Sequence, residues 1–139
     1  MTFDPSQPDY RRLYDEAVED SRDQTADGYF KRAIFEESVG RYETAGRLYV
    51  KAADVCPRSL YQQRAAQAML WAEDLIKAKE YGTNAVQNDP DSAEARLILA
   101  RVYTAAGLQK NARREAEMAL KLDPASAEVK QVLKEIKRG

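Results

Sequence analysis

The chain has 139 residues, of which 44% are hydrophobic and 32% are charged, and this composition predicts one folded domain rather than a disordered tail. Its net charge of −1 gives no electrostatic reason to expect nucleic acid as a partner, and its apolar runs are too short for membrane insertion. Histidine is absent and Cys56 is the only cysteine, which removes the commonest general base and metal ligand and any disulfide within the chain.

Residues 1–25 form a first segment with one amphipathic pattern. Its apolar stripe at helical spacing consists of Tyr10, Leu13, Tyr14, Ala17 and Val18. The stripe predicts a helix that caps the helices after it, lies in a groove of the same molecule, or crosses to a second subunit of a homo-oligomer. No basic region followed by an apolar stretch opens the segment, so no secretory signal is expected, and the lone cysteine also favours a cytoplasmic location.

The rest of the chain carries an internal repeat whose copies end at Pro57, Pro90 and Pro124, which are 33 and 34 residues apart. Alanine recurs at three fixed offsets before these prolines in every copy. The nine alanines are Ala33, Ala45, Ala52, Ala66, Ala78, Ala85, Ala100, Ala112 and Ala119. Because small side chains let two helix backbones approach closely, the register predicts a repeated pair of antiparallel helices.

The helix boundaries follow from local signals. First helices are predicted at about 26–39, 59–72 and 92–105, and second helices at about 42–54, 75–87 and 108–121. Gly40 and Gly107 are expected to end first helices with a left-handed backbone. Asp-Pro at 89–90 and 123–124 is expected to end second helices. Asp91 or Ser92 is expected to cap the helix after the first of these, and Ser126 the helix after the second.

Residues 125–139 hold one more predicted helix. Its apolar face consists of Val129, Val132, Leu133 and Ile136. An array of stacked helix pairs needs a last helix with a polar outer side, so we expect this helix to cap the array.

The repeat resembles the tetratricopeptide repeat, a 34-residue helix–turn–helix unit. The resemblance implies an all-α solenoid of three repeats, at 26–57, 58–90 and 91–124, with an N-terminal extra helix and the C-terminal cap. Three features depart from the family pattern. Arg32 and Glu36 stand where apolar residues are usual, and the second copy lacks the turn glycine and has Gly82 where an aromatic or small residue is usual.

The resemblance also implies a concave groove, lined by the first helices, that binds a peptide or helix. Expected groove contacts are Phe30, Ile34, Arg64, Gln67, Leu70, Trp71, Leu97, Arg101 and Thr104, with Gln63 and Ile98 beside them. Trp71, Arg64 and Arg101 are favoured as the main contact patch because tryptophan and arginine are common at binding hot spots. Alternatively, Trp71 plugs the turn of the second repeat as a core residue.

Some members of the family bind acidic chaperone tails through a carboxylate clamp of lysines and asparagines on successive first helices. The corresponding positions here include Phe30, Ile34 and Gln67, so the clamp is absent in the first repeat. Arg64 and Arg101 remain as residues that could receive an acidic group.

The sequence carries no arrangement typical of catalysis. Glu36 and Glu37 are adjacent on a predicted helix and therefore point in different directions. Cys56 has no histidine to activate it, and no phosphate-binding glycine loop or metal-ligand cluster occurs. We expect neither enzymatic activity nor a cofactor or metal.

The expected function is that of an adaptor or scaffold that binds a protein partner in the groove. One alternative is a small cytosolic chaperone, because three repeats after one extra helix are also the layout of the chaperones of type III secretion translocators. The other is a self-assembling structural subunit. It could associate through the stripe of Tyr10, Leu13, Tyr14 and Val18, or head to tail, since residues 1–25 have seven acids and three arginines while residues 110–139 have eight bases and five acids.

Overall fold

The computed structural model of the protein describes the backbone of residues 25–138, and these residues form seven α-helices without a strand. The helices are α1 Ala26–Ser38, α2 Tyr42–Val55, α3 Ser59–Trp71, α4 Leu75–Asn88, α5 Ala93–Ala105, α6 Gln109–Leu122 and α7 Ala127–Arg138. Every boundary of α1 to α6 lies within one residue of the sequence prediction. The helix predicted around Tyr10 to Val18 lies outside the described residues.

The helices pair in the order in which they follow one another along the chain. Helix α1 packs on α2, α3 on α4 and α5 on α6, and each pair packs on the next, while α7 packs on both α5 and α6. The fold is therefore an all-α solenoid of three antiparallel helix pairs and a final helix. None of the helices in the described part of the chain combines the length and the apolar character that crossing a membrane requires.

The nine repeated alanines lie at the helix crossings, and all nine are buried. Their small side chains allow the backbones of paired helices to come close, as the offsets predicted. The last cluster of the core brings Ala112, Ala116 and Ala119 of α6 against the apolar face of α7. All four predicted residues of that face, Val129, Val132, Leu133 and Ile136, are buried there.

The turn between the two helices of each repeat has one geometry. The amide of the residue that follows the turn donates to a carbonyl five residues earlier: Arg41 to Glu36, Asp74 to Met69 and Leu108 to Tyr103, at 2.8–2.9 Å. Gly40 (φ 83°) and Gly107 (φ 78°) supply the left-handed residue in two turns. In the second repeat, which lacks glycine there, Glu73 takes the same conformation with φ 61°.

The helix starts use the predicted caps. The side chain of Ser92 accepts a hydrogen bond from the amide of Ala95, at 3.1 Å, and Ser126 accepts one from Val129, at 3.2 Å. Each cap satisfies an amide that has no partner within its own helix. Each serine lies two positions after a closing proline. The sequence therefore places the end of one repeat and the beginning of the next helix within three residues.

The other departures from the family pattern also have a structural outcome. Helix α1 forms over its full length with Arg32 half-buried and Glu36 fully buried. A methyl group added at Gly82 would lie 3.2 Å from the Cδ1 atom of Leu99 in α5. The bare backbone of Gly82 therefore leaves room for a leucine of the next repeat, which accounts for the missing side chain.

Candidate functional site

The first helices of the repeats form one face of the solenoid, where α3 contacts α5 and α5 contacts α7. Between α1 and α3 this face holds a cleft of about 370 Å³, which we call the groove cleft. It is lined by Phe30, Ile34, Glu37, Ser38, Tyr42, Tyr49 and Arg64. The cleft thus combines an apolar wall with one cation and one carboxylate.

Aromatic packing holds the apolar wall of the groove cleft in place. The ring of Phe30 lies 5.6 Å from that of Tyr49 and 5.0 Å from that of Tyr61, measured between centroids. Such edge-on and tilted pairs are favourable geometries for aromatic rings. Next to them, Ile34 leaves 48% of its surface exposed and so offers an apolar contact to a ligand.

The polar side of the groove cleft contains a fixed carboxylate. The Tyr49 hydroxyl donates to the Glu37 carboxylate at 2.7 Å. Burial, followed by this hydrogen bond, raises the pKa of Tyr49 above its ordinary value, so the phenol remains a neutral donor. Glu37 therefore already has one partner within the protein.

Arg64 is the cation of the groove cleft, and it is half-buried. Within the described part of the chain its guanidinium makes neither a hydrogen bond nor an ion pair. A partly buried guanidinium has five donor hydrogens and favours a bidentate carboxylate. Arg64 is therefore the group of this cleft that is best placed to receive an acidic ligand.

A second cleft of about 510 Å³ lies between α5 and α7 on the same face. It is lined by Arg101, Ala127, Glu128, Gln131, Val132 and Glu135. Arg101 pairs with Glu128 at 3.5 Å, and both side chains are exposed, so the pair adds little to stability. Unlike Arg64, Arg101 would have to leave a carboxylate of its own chain to bind one from a ligand.

The structure places several of the predicted groove residues elsewhere. Leu97 is only 5% exposed and belongs to the core cluster that α7 covers, and Ile98 is equally buried, so both residues pack mainly in the core. Gln63 is buried and donates to Ser59 at 3.1 Å. Thr104 is half-buried and donates its hydroxyl to the Ala100 carbonyl of its own helix at 2.9 Å.

Two predicted contacts, Gln67 and Leu70, are half-buried on α3 and line neither of the two clefts. The self-association residues Tyr10, Leu13, Tyr14 and Val18 lie outside the described residues. Self-association through these four residues therefore stays a prediction.

Trp71 lies at the edge of the solenoid, in a different cleft from Arg64. It is 55% exposed, and its ring is 6.2 Å from that of Tyr42, with the two planes close to perpendicular. The interpretation of Trp71 as a buried plug of the turn is therefore wrong, because Glu73 closes that turn through its backbone. Tyr42 lines the groove cleft as well as the cleft that holds Trp71, and it was missed by the sequence analysis, although its 60% exposure follows from its place at the start of α2.

Within residues 25–138 no three His, Cys, Asp or Glu side chains group so as to hold a metal ion. Cys56 is a free, half-buried thiol at the end of α2.

Comparison with known proteins identifies the kind of repeat. A family model described as tetratricopeptide repeat matches residues 70–136. No curated protein sequence matches the chain significantly.

Solved structures match the fold closely. The first tetratricopeptide repeat domain of Spaghetti (RPAP3), bound to the HSP90 peptide SRMEEVD, is similar with a TM-score of 0.75 at 20% identity, over 81% of this chain and 90% of that chain. The crystal structure of MamA is similar with a TM-score of 0.82 at 14% identity, over 100% of this chain and 86% of that one. The Sgt2 domain from Aspergillus fumigatus gives 0.74 at 22% identity, over 81% and 77%.

At these identities the structural likeness establishes the fold. The family model covers the second half of the chain, and the same helix pair, with the same turn and the same buried alanines, begins at Ala26. Residues 70–136 therefore match the tetratricopeptide repeat, and the chain shares the fold of tetratricopeptide-repeat domains.

Proposed function

We propose that this protein is a non-catalytic adaptor that binds a segment of another protein on the face formed by α1, α3, α5 and α7. The groove cleft is the main contact, and the unpartnered guanidinium of Arg64 beside the apolar wall is the observation that carries the proposal. In this proposal the repeats run from 26–57, 58–90 and 91–124, residues 125–139 cap them, and the protein works in the cytoplasm.

The chemistry of the groove cleft defines the segment that we expect. Phe30 and Ile34 present apolar surface, which favours an aliphatic or aromatic side chain from the partner. Arg64 favours a carboxylate close to that side chain, because an ionic hydrogen bond would satisfy a guanidinium that is already partly removed from water. The partner segment should therefore carry an acidic residue next to an apolar one.

Proteins of this fold support the binding role. The first domain of Spaghetti (RPAP3) was solved with the acidic HSP90 peptide SRMEEVD. Here Phe30 and Ile34 occupy two positions at which the clamp for such tails needs polar side chains. We therefore expect this chain to bind SRMEEVD weakly and to prefer a segment with an apolar anchor.

The test is an affinity capture from cell extract with four forms of the protein. Wild type is compared with Arg64→Glu, which reverses the cleft charge, and with Ile34→Ser, which removes apolar contact. Arg113→Glu, an exposed site on α6, is the matched control for charge reversal. Overlapping peptides that cover the sequence of each captured protein are then synthesised. The affinity of each peptide is measured by fluorescence polarisation and compared with that of SRMEEVD.

A partner that uses the groove cleft should bind wild type and Arg113→Glu alike. It should lose about thirtyfold in affinity with Arg64→Glu, which is the usual effect of a hot-spot residue. Equal affinity for wild type and Arg64→Glu, with both forms folded by circular dichroism, would show that the binding surface lies elsewhere.

A further inference from the structure

A third cleft, the one that holds Trp71, lies at the edge of the solenoid where the first helices turn into the second helices. It encloses about 580 Å³, and we call it the edge cleft. Its walls are the exposed rings of Tyr42 and Trp71, and its floor includes Gly46, Ala68 and Ala72. Arg64, the cation of the groove cleft, does not line it.

The floor of the edge cleft depends on Gly46. A methyl group added there would lie 3.2 Å from the Cβ atom of Ala68, so glycine allows α2 to lie this close to α3. The same position in the other repeats, eleven residues before the closing proline, carries Lys79 and Arg113. Only in the first repeat does this position leave bare backbone, and the opening that results can admit a large side chain from outside.

The aromatic rings that form the walls of the edge cleft also project into solvent. Tyr42 and Trp71 are both more than half exposed, and Ile76, which is 83% exposed, begins the next helix at the same edge. Exposed apolar side chains that lie together, as the rings of Tyr42 and Trp71 do, mark an interaction site, and aromatic residues are enriched at such sites. One small patch therefore contains both projecting rings and a cavity of a size to receive them.

The charges at the rim of the edge cleft are one acid and one base. Glu43 and Arg47 lie one turn apart on α2, 3.2 Å from each other, and both are largely exposed. A two-fold axis that runs midway between these two side chains would place Glu43 of one copy opposite Arg47 of the other, and the reverse. An interface with this symmetry must be self-complementary, and a rim with one charge of each sign meets that condition.

We infer that the edge cleft binds a second copy of this chain in a two-fold symmetric dimer. Trp71 of each copy enters the cleft of the other over Gly46, and the Glu43–Arg47 pairs exchange partners across the axis. Because the net charge of each chain is only −1, electrostatic repulsion between two copies is small. Such a compact contact falls in the class of small interfaces, so the dimer should form in a concentration-dependent manner.

The test uses Trp71 as its own probe, because it is the only tryptophan of the chain. Sedimentation velocity and intrinsic fluorescence are measured on the full chain over about a hundredfold range of concentration. The mass should rise from the 15.7 kDa of one chain towards twice that value. Over the same range the tryptophan emission should move to shorter wavelengths as the indole leaves water.

Variants separate this contact from a general loss of structure. Trp71→Ala should weaken dimerisation by at least about tenfold. Val55→Ser is the matched control, because Val55 is 54% exposed at the opposite end of α2 and should leave the dimer unchanged. Glu43→Arg should weaken the dimer by placing like charges opposite each other, and the double exchange Glu43→Arg/Arg47→Glu should restore it.

Three results would overturn the inference. One is a monomer mass that stays constant at every concentration, together with the long-wavelength emission of a Trp71 indole in water. Another is a constant monomer in which Trp71 is already buried, which would mean that another segment of the same chain covers the cleft. The third is a dimer that resists Trp71→Ala but is lost with Leu13→Ser, which would assign the interface to the N-terminal segment. Arg64→Glu should not alter the dimer, so this inference and the proposed groove function fail independently.

Discussion

Glu73 adopts a backbone conformation that an L-residue with a side chain rarely takes. Its φ of 61° lies in the left-handed region, at the turn position that Gly40 and Gly107 occupy in the other repeats. The crowding of a Cβ atom in this region costs about 1–2 kcal/mol. The turn forms nevertheless, because the hydrogen bond from Asp74 to Met69 closes it as in the other repeats.

Glu73→Gly should therefore stabilise the protein. We expect the free energy of unfolding to rise by up to about 1 kcal/mol, since relief of the Cβ strain is partly offset by the greater freedom of glycine in the unfolded chain. Urea denaturation followed by circular dichroism measures this change. Gly107→Ala is the matched opposite, because a methyl group there meets no atom within 4 Å and can cost only conformational strain. A loss of stability with Glu73→Gly would contradict the strain argument.

The alanines at the helix crossings are the second feature at this scale, and Ala112 is an example. It has no exposed surface and lies in the cluster between α6 and α7. Ala112→Leu should lower the free energy of unfolding by about 1–3 kcal/mol, because the added atoms force the helices apart. The control is Ala125→Leu, which changes an exposed alanine outside the helices. Equal thermal midpoints for the two variants would argue against close packing at Ala112.

Two tyrosine–carboxylate hydrogen bonds join neighbouring elements. Tyr49 of α2 donates to Glu37 of α1, and Tyr81 of α4 donates to Asp54 of α2 at 2.8 Å. In both cases burial, followed by the hydrogen bond, raises the pKa of the tyrosine above its ordinary value of 10.0. The raised pKa means that the folded state holds these two protons more tightly than the unfolded state does.

Stability should therefore decrease at alkaline pH. The contribution of each raised tyrosine is fully present below pH 10 and is lost above it, because the unfolded chain then releases a proton that the folded chain retains. The double variant Tyr49→Phe/Tyr81→Phe should lose less stability than wild type between neutral pH and about pH 11. Urea titrations at a series of pH values measure the two slopes, and Tyr42→Phe, an exposed tyrosine, is the control. Parallel slopes for wild type and the double variant would contradict the assignment.

The whole molecule is stabilised by contacts between neighbours. Each helix pair packs on the next, and α7 closes the far end by burying its apolar face against α5 and α6. In such an array the stability of each repeat depends on its own packing and on that of its neighbours. A defect at α7 should therefore affect the third repeat before the first.

Ile136→Ala tests this dependence. Ile136 is among the most deeply buried large side chains of the described residues, and its truncation should cost about 2–5 kcal/mol. Amide hydrogen exchange should show faster opening of α6 and α7, with little change in α1 and α2. Lys134→Ala on the exposed side of the same helix is the control. A uniform rise in exchange along the chain would mean that the array unfolds as one cooperative unit.

The sequence by itself determined the elements and their register. The signals are local: the spacing of Pro57, Pro90 and Pro124, the turn glycines and the nine alanines. The prolines and glycines act on the backbone within a few residues, and the alanines act at a helix crossing inside one repeat. The six helix spans of the repeats, the caps at Ser92 and Ser126 and the apolar face of α7 were all predictable from them.

Only the tertiary structure decided which side chains remain accessible on that frame. Leu97 matched the groove position of the repeat, but α7 covers it, and the sequence of α5 contains no sign of a helix that arrives thirty residues later. Trp71 lines the edge cleft with Tyr42, whereas Arg64 lines the groove cleft with Tyr49, although both residues belong to α3. The exposure of a side chain depends on how closely separate helices pack against each other. The helical period within one segment carries no information about the distance between helices.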